Sequence, residues 1–145
     1  MPCDYSKYPK DWKAIRAEVL ERAGHECEQC KAPNGYWIYR GTSEGRPVYQ
    51  VATLEVYCAE TGEMLADNEL SLCEVVGLNG DTLTKVVLTI SHTDHDITNN
   101  GEPGNRPNLR ALCQRCHNRH DAEYRRGNAR RTIARKKGQQ ALFSE

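Results

Sequence analysis

Four cysteines in two C-x-x-C pairs, Cys27/Cys30 and Cys113/Cys116, constrain this chain more than any other feature. Two thiolates three positions apart grip one metal ion from a tight loop, and two such pairs complete a tetrahedral site. The pairs lie far apart in sequence, so one ion would tie an early helix to a late one. The need for such a staple is clear from composition: 145 residues, only 38% hydrophobic and 28% charged, make one domain with a thin core. Disulfides are the competing use for seven cysteines. Met1 to Lys10 is polar and proline-punctuated, without the apolar stretch of an export signal. A cytoplasmic location is therefore expected, and there paired C-x-x-C motifs favour zinc. No run is apolar enough to span a bilayer, so no membrane association is expected.

The pattern along the chain predicts an α+β domain. Asp11 is a suitable N-cap for a helix running to about Ala23, with Trp12, Ile15, Val19 and Leu20 on one stripe and Gly24 as its stop. Residues 11–30 thus hold this helix and the first cysteine pair. Residues 35–85 form a β-rich region, with strands expected over Tyr36–Arg40, Val48–Tyr57, Leu70–Val76 and Leu83–Ser91. Thr61-Gly62 and Asn79-Gly80 read as turns, the latter as a hairpin. Tyr36, Trp37, Tyr39, Tyr49 and Tyr57 read as sheet cover before base-stacking groups. Cys58 and Cys73 read as small core residues, and Cys3 has no assigned role. Residues 86–126 run from an apolar strand through a polar loop into a helix expected from Ala111 to about Arg126. Residues 127–145 are a basic tail, either a continued helix or an irregular end.

Net charge is zero, but it is unevenly placed. From Gly104 to Gly138 the basic residues include Arg106, Arg110, Arg115, Arg119, Arg125, Arg126, Arg130, Arg131 and Arg135, opposed only by Asp121 and Glu123. The β-rich middle is acidic. Such asymmetry points to nucleic acid at the basic end, or simply to a solvated basic helix.

The loop and helix also concentrate His92, Asp94, His95, Asp96, Asn108, His117, His120 and Asp121. Histidine suits a base near neutral pH, and histidine with carboxylate suits a divalent cation such as Mg2+, Mn2+ or Ni2+. His117 and Asp121, at i and i+4, share one helix face and can address one ion.

At these residues the chain resembles the HNH (His-Asn-His) endonuclease family. The resemblance covers the opening WKAIRAEVLERAGHECEQC and then Leu88 to about Asp121, with TISHTD, TNN and above all NLRALCQRCH as matching pieces. It implies a ββα-metal fold, with a structural zinc held by the four paired cysteines and an added β-rich insertion outside the match. His92 matches the family's general base, Asn108 the residue that positions the base or loop, and His117 a metal ligand. The ligand expected before the base is replaced by Ser91. A second register makes Asp94 the ligand and His95 the base, and both registers stay open. Asp121 is the favoured second ligand on the helix, with His120 as its rival. The implied activity is metal-dependent nicking of double-stranded DNA, held through its backbone by Arg110, Arg115, Arg119, Arg125 and Arg126, with little sequence preference. Cutting both strands would need a homodimer or two binding events. The competing reading is a zinc-stapled nucleic-acid-binding module whose nuclease site has decayed. The family's short free-standing members place such a protein in a bacterial or phage-infected cell.

Overall fold

The computed structural model describes residues 4–67 and 83–142. Among the described residues it is a mixed α+β structure with two α-helices, α1 (Trp12–Arg22) and α2 (Gln114–Leu142), a short 3-10 turn over Tyr5–Lys7, and two antiparallel sheets. The smaller sheet pairs β6 (Leu88–His92) with β7 (Leu109–Cys113), in register from Leu88 opposite Cys113 to His92 opposite Leu109. The larger comprises β1 (Trp37–Ser43), β2 (Arg46–Gln50), β3 (Val56–Cys58), β4 (Met64–Ala66) and β5 (Leu83–Lys85), in the order β4-β3-β2-β1-β5.

The apolar stripe of α1 is buried as its spacing requires, with Ile15, Val19 and Leu20 in the core and Trp12 packed at its margin. Asp11 stands at the N-cap, but its carboxylate makes no capping bond. The Asp11 carbonyl instead accepts the Ala14 and Ile15 amides at 2.9 and 3.1 Å. Gly24, at φ +66°, turns the chain out of the helix. Arginines on α1 reach the small sheet: Arg16 donates to the Leu88 carbonyl at 3.3 Å, and Arg22 to the carbonyls of Arg106 and Leu109 at 2.8 and 2.5 Å.

Three sequence expectations are corrected. The last helix does not begin at Ala111: residues 111–113 complete β7, where Ala111, Leu112 and Cys113 are all buried. The helix starts at Gln114 and continues unbroken past Gly127 to Leu142, far beyond Arg126. The run Val48–Tyr57 is two strands, because Leu54 takes φ +74° in a turn closed by the Val51 amide on the Glu55 carbonyl at 3.1 Å. Likewise Leu83–Ser91 divides into β5 and β6, which belong to different sheets. Residues 86 and 87 make that transition; the Val86 amide still donates to Tyr36 while the Leu88 amide turns to the Asn34 side chain. A hairpin not foreseen joins β1 to β2 through Glu44 and Gly45, both at positive φ, as a two-residue turn demands. The expected strand Leu70–Val76, the Asn79-Gly80 hairpin, Cys73 and Cys3 lie outside the described residues. Tyr49 and Tyr57 cover the inner sheet face as a stacked pair, whereas Tyr36 and Trp37 are exposed. Among the described residues no helix is long and apolar enough to cross a membrane.

The large sheet is docked on the first cysteine loop. Buried Tyr49 donates its hydroxyl to the Cys30 carbonyl at 2.6 Å, and Arg115 of α2 donates to the Ala59 carbonyl at 2.8 Å. Gly62 sits at φ +76° where a Cβ would lie 2.9 Å from the Cys30 carbonyl carbon and oxygen. Left-handed strain and backbone overlap therefore act together, and Gly62→Ala is expected to cost at least about 2 kcal/mol in chemical denaturation.

An ion pair between a buried arginine and a half-exposed glutamate fixes the loop between β6 and β7. Arg106 meets Glu18 of α1 at 2.8 Å and donates to the carbonyls of Asn100 and Gly101 at 2.5 and 3.4 Å. The Arg106 side-chain bond, then the Gly104 amide, hold the Glu18 carboxyl below its ordinary value of 4.5. Because the native pKa is lowered, this stabilisation is complete above about pH 4.5 and is lost as pH falls through the native value. Glu18→Gln should therefore lower stability at pH 7 and flatten its decline below pH 4.5, as followed by circular dichroism.

Candidate functional site

Two clusters of side chains that could ligate a metal ion lie along the β7–α2 junction. In the first, Cys27, Cys30, Cys113 and Cys116 bring their sulfur atoms within 4.8 Å of one another. All four are buried and free of disulfides. The first pair sits in a turn closed by the Lys31 amide on the Cys27 carbonyl at 2.8 Å, with Lys31 at φ +61°. The second pair bridges the last residue of β7 and the first turn of α2. The Cys30 and Cys113 sulfurs are 3.6 Å apart, close to the edge of about 3.8 Å expected for a tetrahedron of Zn–S bonds near 2.3 Å. The four thiols are thus placed to hold one structural metal such as zinc.

Donors around the cluster suit an anionic centre. The Cys113 amide points to the Cys27 sulfur at 3.3 Å, and the Arg40 guanidinium to the Cys113 sulfur at 3.6 Å. Among the thiols themselves, hydrogen bonds from Cys116, Cys27 and Cys30 hold Cys113 down, while Cys30 and Cys116 are pushed up, each most strongly by its contact with Cys113. Four such groups cannot all ionise unaided; a divalent cation removes that conflict.

The second cluster centres on Asp121. One stripe of α2 presents His117, His120, Asp121 and Tyr124 at i, i+3, i+4 and i+7. Asp121 Oδ2 lies 3.2 Å from His117 Nε2, and Asp121 Oδ1 lies 3.1 Å from His120 Nδ1 and 3.5 Å from His95 Nδ1. Ligand atoms of His95, His120 and Asp121 all fall within 4.8 Å of one another, on half-buried side chains. His95 comes from the loop after β6, at φ +57°, and its ring stacks on Tyr124 at 4.1 Å and on His120 at 4.8 Å.

His117 is oriented by the sheet. Its Nδ1 is 2.6 Å from the Thr89 hydroxyl, which also lies 3.3 Å from the Leu112 carbonyl. In the neutral tautomer with the proton on Nε2, the short Thr89 hydroxyl bond is donated to Nδ1 and Nε2–H donates to Asp121 Oδ2, so the hydroxyl and the carboxylate together fix the ring. Burial, the largest influence, lowers the His117 pKa, and the Asp121 charge opposes it.

The other sequence candidates fall elsewhere. His92 is buried, its ring stacked on Trp12 at 5.8 Å and its Nε2 2.9 Å from the Asn100 side-chain oxygen. Asp94 is outside the cluster: Oδ1 accepts the Asp96 amide at 3.1 Å and Oδ2 the Asn99 side chain at 2.6 Å, bonds that hold its pKa down. Asn108 clasps the loop that carries His95, donating to the Asn99 carbonyl while its own carbonyl accepts the Thr93 amide at 2.8 Å. Ser91, where a ligand was expected, is buried and its hydroxyl has no partner among the described residues. Arg110, Arg115 and Arg119 line an open cavity of about 450 Å³ that also touches His120. Glu60 of the large sheet's β3–β4 turn pairs with Arg119 there at 2.6 Å. Arg125 and Arg126 lie on the exposed part of α2. Tyr124 was missed in the sequence, although its position one turn beyond His120 and Asp121 places it on their stripe.

No family model, curated protein or solved structure matches the chain.

One firmly held zinc per chain is the expected result of elemental analysis on protein purified without chelator. Cys30→Ser should then unfold the domain, because binding at such a site is coupled to folding and is worth about 10–16 kcal/mol in small zinc domains.

Proposed function

We propose that this protein is a metal-dependent endonuclease of the HNH type, hydrolysing phosphodiester bonds in DNA. The observation that carries the proposal is the convergence of His95, His117 and His120 on Asp121, beside the cluster of four thiols. Support also comes from the order of elements, an antiparallel pair followed by a helix, with Asn108 at the base of the connecting loop. This is the arrangement a ββα-metal fold needs, and in this reading the five-stranded sheet is an insertion built against it.

His117 and Asp121 would hold a catalytic divalent cation, with His120 beside them. When bound, such an ion neutralises charge on the scissile phosphate and on the leaving 3′ oxygen. Two imidazoles and one carboxylate suit Mn2+ or Ni2+ better than Mg2+, which prefers oxygen ligands. For the base, His95 is preferred to His92. The Asp121 carboxylate facing His95 Nδ1 favours a proton there, which leaves Nε2 as the basic nitrogen for a water. His92 spends Nε2 on Asn100 and packs its ring on Trp12. Its role is to brace the loop together with Asn100, Arg106 and Glu18. The arginines around the 450 Å³ cavity would contact the backbone without reading sequence.

Plasmid nicking with Mg2+, Mn2+ or Ni2+ tests the assignment. The wild type should nick best with Mn2+ or Ni2+. His117→Ala and His95→Ala should each lose about 10²-fold or more, and His92→Ala should lose activity in step with its loss of stability. Absence of nicking with every ion, while DNA binding persists, would assign the binding module instead. Full activity in His95→Ala would return the base to His92.

A further inference from the structure

We propose that the distal part of α2 is an arm that lies in the major groove of duplex DNA. The choice of DNA as ligand rests on the function proposed above; the groove and the segment come from the helix itself. Every residue from Asn128 to Gln140 is exposed. The hydrogen bonds made by nearby arginines stay on the helix: Arg125 donates to the Asn118 carbonyl, Arg126 to the Ala122 carbonyl and Arg131 to the Asn128 side chain. The segment therefore projects for about 20 Å, at 1.5 Å per residue, with no other element packed along it among the described residues.

Its charge is of one sign. Arg130, Arg131, Arg135, Lys136 and Lys137 meet no acidic residue in the segment. At about 100° per residue these five point to all sides of the helix, with no gap wider than about 100°. This distribution selects among anionic partners. A membrane surface or a partner helix requires one apolar face, but Ile133 is the one large apolar side chain in the segment. A flat anionic surface would meet only part of the charge. The major groove of B-DNA is different: it is about 12 Å wide, admits a helix about 10–12 Å across, and presents phosphates along both walls. The deep, narrow groove of duplex RNA excludes the helix.

The arm is also poorly suited to stand alone. Arg126/Arg130 and Arg131/Arg135 are like charges at i and i+4, and Gly127 and Gly138 weaken the helix interior. Phosphates on both sides would relieve that repulsion. Because Asp121 and Arg130 share one helix, the arm would also set the distance, about 14 Å along the axis, between the His/Asp cluster and the occupied groove.

The test uses the full chain without added divalent ion and a 20-base-pair DNA duplex, read by fluorescence anisotropy against salt. A triple variant, Arg130→Gln with Arg131→Gln and Arg135→Gln, changes only exposed side chains. It should reduce the slope of log K against log salt by about 2.7, at about 0.9 per lost phosphate contact. Arg46→Gln, an exposed arginine of β2 outside the arm, should keep the wild-type slope. Dimethyl sulfate should find guanine N7 in the major groove protected by the wild type and open with the triple variant. An RNA duplex of the same sequence should bind more weakly. An unchanged slope, unprotected N7 or equal affinity for the RNA duplex would overturn the arm. Protection without nicking would retain the arm and remove the nuclease; nicking without protection would do the reverse.

Discussion

The mutual approach of four buried thiols is the constraint on which the rest of this structure depends. It joins a turn after α1 to the corner between β7 and α2, two places separated by most of the chain. A core this small gains a net stability of only about 5–15 kcal/mol, the same order as the binding of one structural zinc. The thiol cluster is therefore part of the core, packed with Ile15, Val19, Leu88, Leu109 and Leu112. The backbone reinforces it, since Glu28 exchanges bonds with Ala111: the Glu28 amide donates to the Ala111 carbonyl at 2.9 Å, and the Ala111 amide to the Glu28 carboxylate at 2.6 Å.

The five-stranded sheet serves the same centre. Arg40 brings positive charge to the Cys113 sulfur, Tyr49 ties β2 to the Cys30 carbonyl, and Gly62 permits backbone contact with Cys30. Each contact comes from a different part of the sheet and ends on the cysteine loops. The acidic turn between β3 and β4 also reaches α2, where Glu60 meets Arg119 and lowers its own pKa by that contact. Any phosphate entering the neighbouring cavity would compete with Glu60 for that arginine.

The two clusters are linked through one helix. Cys116 belongs to the thiol group and His117, the next residue, belongs to the histidine group, so the first fixes the rotation of α2 that aims the second. Thr89 on β6 then sets the His117 ring, and Tyr124 sets the ring of His95. The polar loop 93–108 is held by two residues near its end, Asn108 bonding back to Asn99 and Arg106 pairing with Glu18 of α1. These interactions organise the candidate site from rigid elements, with one residue, His95, supplied by a loop.

Much of this was legible in the sequence wherever a local rule governs. The apolar stripe of α1, its glycine stop, the two C-x-x-C pairs and the shared face of His117 and Asp121 follow from spacing alone. Element boundaries did not, because tertiary burial overrode local preference: Ala111–Cys113 became a strand once β6 was beside it, and a single apolar run became β5 and β6 once two sheets competed for its hydrogen bonds. The different surroundings of His92 and His95 were likewise beyond the sequence. The two lie three residues apart in one polar stretch, and no spacing rule separates them. Only the folded chain puts one ring against Trp12 and the other against Asp121, His120 and Tyr124, since those neighbours come from helices distant in sequence. The sequence by itself determined which side chains were available to hold a metal ion. The tertiary structure decided which of them meet, because that depends on how two helices and a strand pair are locked around four sulfur atoms.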